Sequence, residues 1–305
     1  MKRIFLILFL VISAWSGLFA VDNGIPAAFV DIGLARTAGM GGAYAAVADD
    51  AGAVFYNPAG IATAEYADVA FMYTKQKWMV PYNYFGFIYP FNGVRGAGFG
   101  MIISGDELMD EKTFFLSYSE NLDWILKVIK GIYIGTTMKM HFAGFGPKSG
   151  NPEDGISGGA WGLGMDFGLI YKYNENLQAG VFIRDGFSWI NWTADYRDGV
   201  NMEGVPLTSD IGVKYSYDIF TVAADLKNLS KLEFGGEVTA FDYVDIRAGM
   251  SQTLDFDSYK EFSLGLGVGH FKFGANDELS MNFDFAFIFE RLDSSMKIQT
   301  SFKFK

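Results

Sequence analysis

The chain lacks cysteine and has only seven prolines and two histidines in 305 residues. After the N-terminus it also lacks an apolar run of about 20 residues, the length that a membrane-spanning helix needs, so a helical membrane protein is excluded. Without cysteine, neither a disulfide nor a lipid-modified N-terminal cysteine is available. The formal net charge of −11 excludes nucleic acid as a partner, because binding to phosphates requires basic patches.

Motifs for catalysis and for cofactor or metal binding are also missing. Gly39-Met40-Gly41-Gly42 resembles half of a dinucleotide fingerprint, but the third glycine and a surrounding strand–helix–strand unit are absent. His141 and His270 each stand alone on a predicted strand, without metal-ligand spacing. Asp49-Asp50 has no base or nucleophile beside it and is more typical of a loop or a helix N-cap. The sequence predicts no enzyme, no cofactor and no metal.

The first twenty residues have the pattern of a cleaved secretory signal. Lys2 and Arg3 form a charged start, Ile4–Ile12 an apolar core, and Ala20 a small residue at the cleavage point. The alternative, an N-terminal membrane anchor, would need a longer apolar core. We therefore expect a signal peptide at 1–20 and an exported protein.

What the chain does have is alternation, together with 17% aromatic residues and 37 glycines. Apolar and polar residues alternate through fourteen segments, and this period of two predicts β-strands. In the segment 279–290, Met281, Phe283, Phe285, Phe287 and Phe289 alternate with Ser280, Asn282 and Asp284. The segments are 68–75, 83–90, 96–104, 112–120, 131–142, 160–173, 177–185, 207–217, 219–227, 232–240, 244–252, 261–270, 279–290 and 295–304.

Two architectures fit alternating strands: a soluble β-sandwich and a membrane β-barrel. The apolar faces are unusually aromatic, and charged residues occupy the middle of many opposite faces, which favours lipid outside and a polar lumen inside. We predict an all-β fold, a 14-stranded antiparallel transmembrane β-barrel over residues 67–305. The predicted lumen charges are Asp166, Arg184, Asp210, Lys214, Asp225, Glu237, Arg247 and Asp284, and folding around Asp242 would place Glu237 opposite Arg247. The alternative interpretation is that these charges are simply the solvent-exposed face of each strand and have no specific role.

The two longest predicted connections are 143–159 and 186–206. The second contains Trp189, Ile190 and Trp192, and an apolar cluster inside a loop suggests contact with a hydrophobic ligand or partner. We predict these three residues as candidates for ligand capture. The tryptophans Trp78, Trp124 and Trp161 fall at strand ends or in loops, where they are typical of the aromatic girdles of a barrel.

The segment before the first strand, 21–66, is rich in glycine and alanine and predicts a hatch, or plug, inside the lumen. Its motif residues are Gly39, Met40, Gly41, Gly42, Tyr44, Asp49, Asp50, Asn57, Pro58 and Gly60. Gly33–Tyr44, Ala48–Ala51 and Asn57–Gly60 resemble the opening of PorV/PorQ-type outer-membrane proteins, which are part of the wider long-chain fatty-acid transporter (FadL-like) group.

This resemblance implies a 14-stranded barrel in the outer membrane of a diderm bacterium, with a hatch in its lumen. It also implies passive transport of hydrophobic, fatty-acid-like small molecules, with membrane lipid around the barrel and a hydrophobic ligand as partner. PorV-type members act instead in protein secretion or envelope assembly, through contact with secretion-system proteins. The residues leave that alternative open.

Overall fold

The computed structural model describes residues 33–76, 80–106, 109–146, 155, 157–194, 197–241, 243–254, 258–273, 279–290 and 294–304. The predicted signal peptide and residues 21–32 of the predicted hatch lie outside the described residues. Within these ranges, no helix is both long enough and apolar enough to span a bilayer.

The described residues form fifteen strands, and every pairing between them is antiparallel. They are β1 Ala67–Gln76, β2 Val80–Phe91, β3 Arg95–Gly105, β4 Met109–Asn121, β5 Ile132–Phe145, β6 Gly158–Lys172, β7 Leu177–Ala194, β8 Arg197–Gly204, β9 Thr208–Tyr217, β10 Phe220–Lys227, β11 Lys231–Ala240, β12 Val244–Thr253, β13 Lys260–Phe273, β14 Leu279–Phe289 and β15 Ser294–Phe304.

Fourteen of these strands close into a barrel. Each strand pairs with its neighbour along the chain, β15 returns to pair with β1, and β6 pairs with β7. β8 is the additional strand. It pairs with the C-terminal part of β7, from Trp189 to Ala194, while β9 pairs with the N-terminal part, from Leu177 to Arg184. The predicted 14-stranded antiparallel barrel is confirmed, with one strand added to it.

Alternation along each strand separates an apolar outer face from a polar inner one. On β14, Phe285 and Phe287 are about two-fifths exposed, whereas Asp284 and Ala286, which alternate with them, are buried. β1 repeats this pattern, with Phe71 half exposed and Asp68 buried. Apolar residues outside and polar residues inside are the arrangement of a membrane barrel.

The lumen is filled by the segment that precedes β1. It contains two short helices, α1 (Ala35–Gly39) and α2 (Ala53–Tyr56), and a 3-10 turn at Pro58–Thr63. Met40, Tyr44, Val47, Val54 and Ile61 on this segment are among the most buried side chains in the protein. The hydrophobic core therefore lies at the centre of the barrel, between the described hatch residues and the wall.

The structure differs from the sequence-based expectation of a loop at 186–206, because the described residues there extend β7 to Ala194 and form β8 at Arg197–Gly204. β7 continues to Ala194 and stays paired with β6 up to Gly158. Asp185 has a φ of 56°, and the register with β6 shifts between Met165 and Phe167, so the strand bends here without ending. Asp185-Gly186 resembles a turn signal in sequence, but a β-bulge uses the same residue types.

Candidate functional site

Wall glycines lie where the hatch touches the barrel. A Cβ on Gly180 would come within 2.8 Å of the Ala46 Cα, and a Cβ on Gly235 would lie 2.6 Å from the Met40 Cβ. The same crowding occurs around the inner wall, at what we call the glycine girdle: Gly135, Gly168, Gly180, Gly235, Gly249 and Gly265. Glycine in a strand allows another backbone to approach closely, so the hatch backbone lies directly against the wall.

The motif Asn57-Pro58-Ala59-Gly60 joins the hatch to β6 and β7. The buried Asn57 amide donates to the carbonyl oxygen of Ala45 at 2.6 Å, and to those of Leu169 and Val181 at 3.3 Å each. Its own Oδ1 accepts the Ala59 N–H. Gly60 lies against the Ala48 carbonyl, where any side chain would collide. The motif therefore ties two parts of the hatch to two strands of the wall.

Gly41 and Gly42 make the tight turn that follows α1. Their φ angles are 67° and 97°, a region that side chains other than glycine rarely adopt. A Cβ on Gly42 would also meet the Glu233 carboxyl within 2.7 Å. Met40, the residue before this turn, is fully buried against the girdle.

An ion network joins the hatch to the wall, and Arg36 is at its centre. Its guanidinium contacts Asp49 at 2.7 Å and Asp50 at 3.0 Å, both within the hatch. It also makes two parallel hydrogen bonds of 3.0 Å to Glu237 on β11. Such two-pronged arginine–carboxylate contacts are among the stronger and more directional polar interactions.

Arg247 on β12 extends the network through the wall. It faces Glu237 across the β11–β12 pair, as predicted, and donates to it at 2.6 Å. It also reaches Asp284 at 2.6 Å and Asp245 at 2.9 Å. Glu237 therefore lies between two arginines, one from the hatch and one from the barrel. We call Arg36, Glu237 and Arg247 the hatch clamp.

The network shifts the pKa values of hatch groups. Burial acts to raise the pKa of Asp49, but Lys214 at 3.2 Å and Arg36 lower it far below its ordinary value. Burial raises the pKa of the Tyr44 phenol well above its usual range, and the opposing charge of Arg36 does not offset that effect. Tyr44 stays a neutral donor to Asp50, and Asp49 stays ionised in neutral and mildly acidic solution.

The other predicted lumen charges lie at separate places on the inner wall. Asp225 accepts the backbone N–H groups of Tyr44 and Ala45, at 2.7 Å each. Asp210 faces Lys227 on β10. Asp166 pairs with Lys139 at 2.7 Å, and the Arg184 guanidinium lies 4.6 Å from the centre of the Phe55 ring.

A cavity separates the hatch from the wall of β2–β7, at the end of the barrel where the β7–β8 hairpin lies. The centre of a water molecule can occupy about 40 Å³ of it, and it opens to solvent. The Phe55 ring of the hatch and the Phe115 ring of β4 meet edge to face, 5.8 Å apart. We call this space the aromatic cavity; it is lined by Phe55, Tyr82, Ile102, Ser104, Glu111, Thr113, Phe115, Lys139, His141, Asp166, Arg184, Asp185 and Val205.

The three residues predicted for ligand capture lie on β7 and not in a loop, and they do not form one cluster. Trp189 packs edge-on against the half-exposed Trp161, with ring centres 4.8 Å apart. Ile190 is fully buried. Trp192 contacts Phe145 and donates to Glu203 at 3.1 Å. None of them lines the aromatic cavity, and their role in capture stays a prediction.

Sequence reasoning missed three residues of this site. Arg36 lies in the segment Gly33–Tyr44 that carries the family resemblance, but nothing in that segment's sequence identified Arg36 as the centre of an ion network. Phe55 precedes the Asn57 turn and resembles an ordinary core residue, while Glu111 resembles a strand-end charge. Among the described residues, no group of three histidines, aspartates or glutamates could hold a metal ion.

No protein-family model matches the sequence, and no curated protein matches it. Solved structures do resemble the fold. The monoaromatic hydrocarbon channel CymD has a TM-score of 0.58 at 14% identity, covering 88% of this chain and 96% of the channel. The Pseudomonas putida toluene transporter TodX has a TM-score of 0.57 at 11% identity, covering 88% of this chain and 96% of the transporter.

A Pseudomonas aeruginosa FadL homologue has a TM-score of 0.55 at 12% identity, covering 89% of this chain and 98% of that one. The names of these three structures describe channels, a transporter and a FadL homologue, and the narrower PorV/PorQ assignment stays a prediction. At such low identity the likeness concerns the fold. This chain shares with them a barrel of the same architecture over nearly its whole described length.

Proposed function

We propose that this chain is an outer-membrane channel through which hydrophobic small molecules pass by diffusion. The observation that carries the proposal is the aromatic cavity, where a hatch ring and a wall ring meet beside Ile102. The cavity combines this apolar surface with polar side chains, and in ligand sites such polar groups fix the orientation of the bound molecule. CymD and TodX, whose names refer to monoaromatic hydrocarbon and toluene, support the same class of cargo.

The filled lumen argues against a general aqueous pore. The hatch backbone lies on the glycine girdle, and the clamp joins Arg36 to Glu237 on the wall. A water-filled channel of the porin type needs an open lumen. None of the solved structures reported above is named as a secretion component, so the alternative role in protein secretion or envelope assembly gains no support here.

Uptake of a radiolabelled hydrophobic probe by cells tests the proposal. The host would be a diderm strain without a hydrophobic-compound channel, producing either this protein or an empty vector. The protein should raise the initial uptake rate of toluene, and Phe115→Ala should lower that gain because it removes a wall of the cavity. Phe71→Ala is the matched control, since Phe71 is half exposed on the outer face of β1. Equal uptake with and without the protein would refute the proposal.

A further inference from the structure

We infer that the aromatic cavity takes a neutral aromatic molecule that carries a hydrogen-bond donor, as a phenol does. Plain hydrocarbons and long-chain acids would fit it less well. This inference rests on the proposed function and deepens it by naming the substrate class. It follows from the polar groups of the cavity and from the balance of their charges.

The cavity has an apolar side and a polar side. Phe55, Phe115 and Ile102 supply apolar surface, whereas Ser104 and Glu111 occupy facing positions on β3 and β4. A buried polar group that loses water without gaining a partner is costly. A bound hydrocarbon would displace water from these polar groups without forming a hydrogen bond to them. Transport of hydrocarbons alone therefore does not explain why polar groups line the cavity.

The charges of the cavity disfavour an anion. Lys139 lies between Asp166, at 2.7 Å, and Asp185. Both carboxylates have further donors: the Asp185 N–H to Asp166, and the Ser188 hydroxyl to Asp185. Lys139 already forms ion pairs with two carboxylates, so a ligand carboxylate would have to compete with them for its ammonium group.

The remaining cation, Arg184, is stacked over the Phe55 ring. Glu111 adds a further acidic group to the cavity without a further cation, so a fatty-acid carboxylate would find no new positive partner there.

Glu111 is the group best placed to select a donor. It is nine-tenths buried, it lines the cavity, and it faces Ser104 across the β3–β4 pair. No lysine or arginine forms an ion pair with it in the described part of the chain. A carboxylate has about four acceptor positions, so an O–H group on a bound ring can donate to Glu111 while the ring packs against Phe115.

Binding of p-cresol and of toluene tests the inference, because the two differ by one hydroxyl group. The full-length protein would be reconstituted in lipid nanodiscs and titrated by calorimetry. We expect p-cresol to bind about tenfold more tightly than toluene, because its hydroxyl can donate a hydrogen bond to Glu111 and toluene has no donor. Oleate would serve as the long-chain acid and should bind more weakly than p-cresol.

Glu111→Leu should remove the preference for p-cresol and leave toluene binding equal or stronger. Glu111→Gln keeps the shape and one acceptor oxygen, so it should show an intermediate preference even if the leucine variant folds poorly. Glu120→Gln, at the other end of β4, is the matched control and should keep the wild-type preference.

Equal affinity for p-cresol and toluene, or tighter binding of oleate, would overturn the inference while leaving the proposed channel intact. A preference that survives both Glu111 variants would overturn the role of this carboxylate. The proposed channel is tested separately, by toluene uptake into cells, and it fails if that uptake is equal with and without the protein.

Discussion

Replacing Glu237 with glutamine should loosen the hatch more than any comparable change of a surface charge. Glu237 is 8% exposed and accepts hydrogen bonds from Arg36 of the hatch and Arg247 of the wall. The glutamine keeps the volume but removes the charge that balances the two guanidinium groups. Its amide group would also turn a donor toward one of them.

The cost can be bounded from the contacts that remain. Removing one partner of a buried ion pair typically costs about 3–5 kcal/mol, because a charge is left buried without compensation. Here Arg36 keeps Asp49 and Asp50, and Arg247 keeps its other two carboxylate partners. We therefore expect the lower end of that range, about 3 kcal/mol.

Urea titration of the purified barrel, followed by tryptophan fluorescence, would measure the change in unfolding free energy. Glu120→Gln is the control, because its pair with Arg95 lies at the surface, where Arg95 is 56% exposed and the loss should be about 1 kcal/mol or less. A double-mutant cycle with Arg36→Met would isolate the coupling between hatch and wall. A cost for Glu237→Gln no larger than that for Glu120→Gln would show that the clamp does not hold the hatch.

Three further predictions concern the hatch. Gly235→Ala should destabilise the barrel by about 1–3 kcal/mol in the same titration, through overpacking against Met40. Gly236→Ala should be tolerated, because the nearest atom to its new Cβ lies 3.8 Å away. Equal effects of the two variants would contradict the role of the glycine girdle. Asn57→Ala removes three carbonyl contacts and should raise conductance in a planar bilayer; unchanged conductance would mean that this turn does not seal the lumen. Because Asp49 has a lowered pKa in the folded protein, its stabilisation is present above the unfolded value of about 4 and is lost as the pH falls below it. Thermal unfolding between pH 7 and 3 should therefore be less pH-dependent in Asp49→Asn, and an unchanged dependence would count against this network.

Strand positions could be predicted from sequence because each strand separates two solvents. Phe285 and Phe287 face outward while Asp284 faces the lumen. The sequence predicts this difference because successive side chains of a strand point to opposite faces. The pairing of Glu237 with Arg247 followed from the short turn between their strands, since a tight hairpin sets the register. The prediction failed at 186–206, where Asp185-Gly186 has the composition of a turn but forms a bulge.

The candidate site was less predictable, because its parts are distant in sequence. The Ala35 N–H donates to Gln299, and Arg36 reaches Glu237, over separations of 264 and 201 residues. Alternation predicted that Glu237 faces the lumen, but a lumen-facing charge has many available partners. Phe55 and Glu111 were missed for the same reason, since only closure of the barrel brings the hatch ring beside β4.

The sequence by itself determined where most of the strands lie, which face of each of them is apolar, and that a glycine-rich segment precedes them. Local physics decides those features: side chains alternate along a strand, and lipid and lumen differ in polarity. The tertiary structure alone decided which lumen charges meet, where the wall glycines lie and which rings line the cavity. These contacts depend on the closure of β15 onto β1 and on the fit of the hatch against the wall, and both join residues that no local pattern connects.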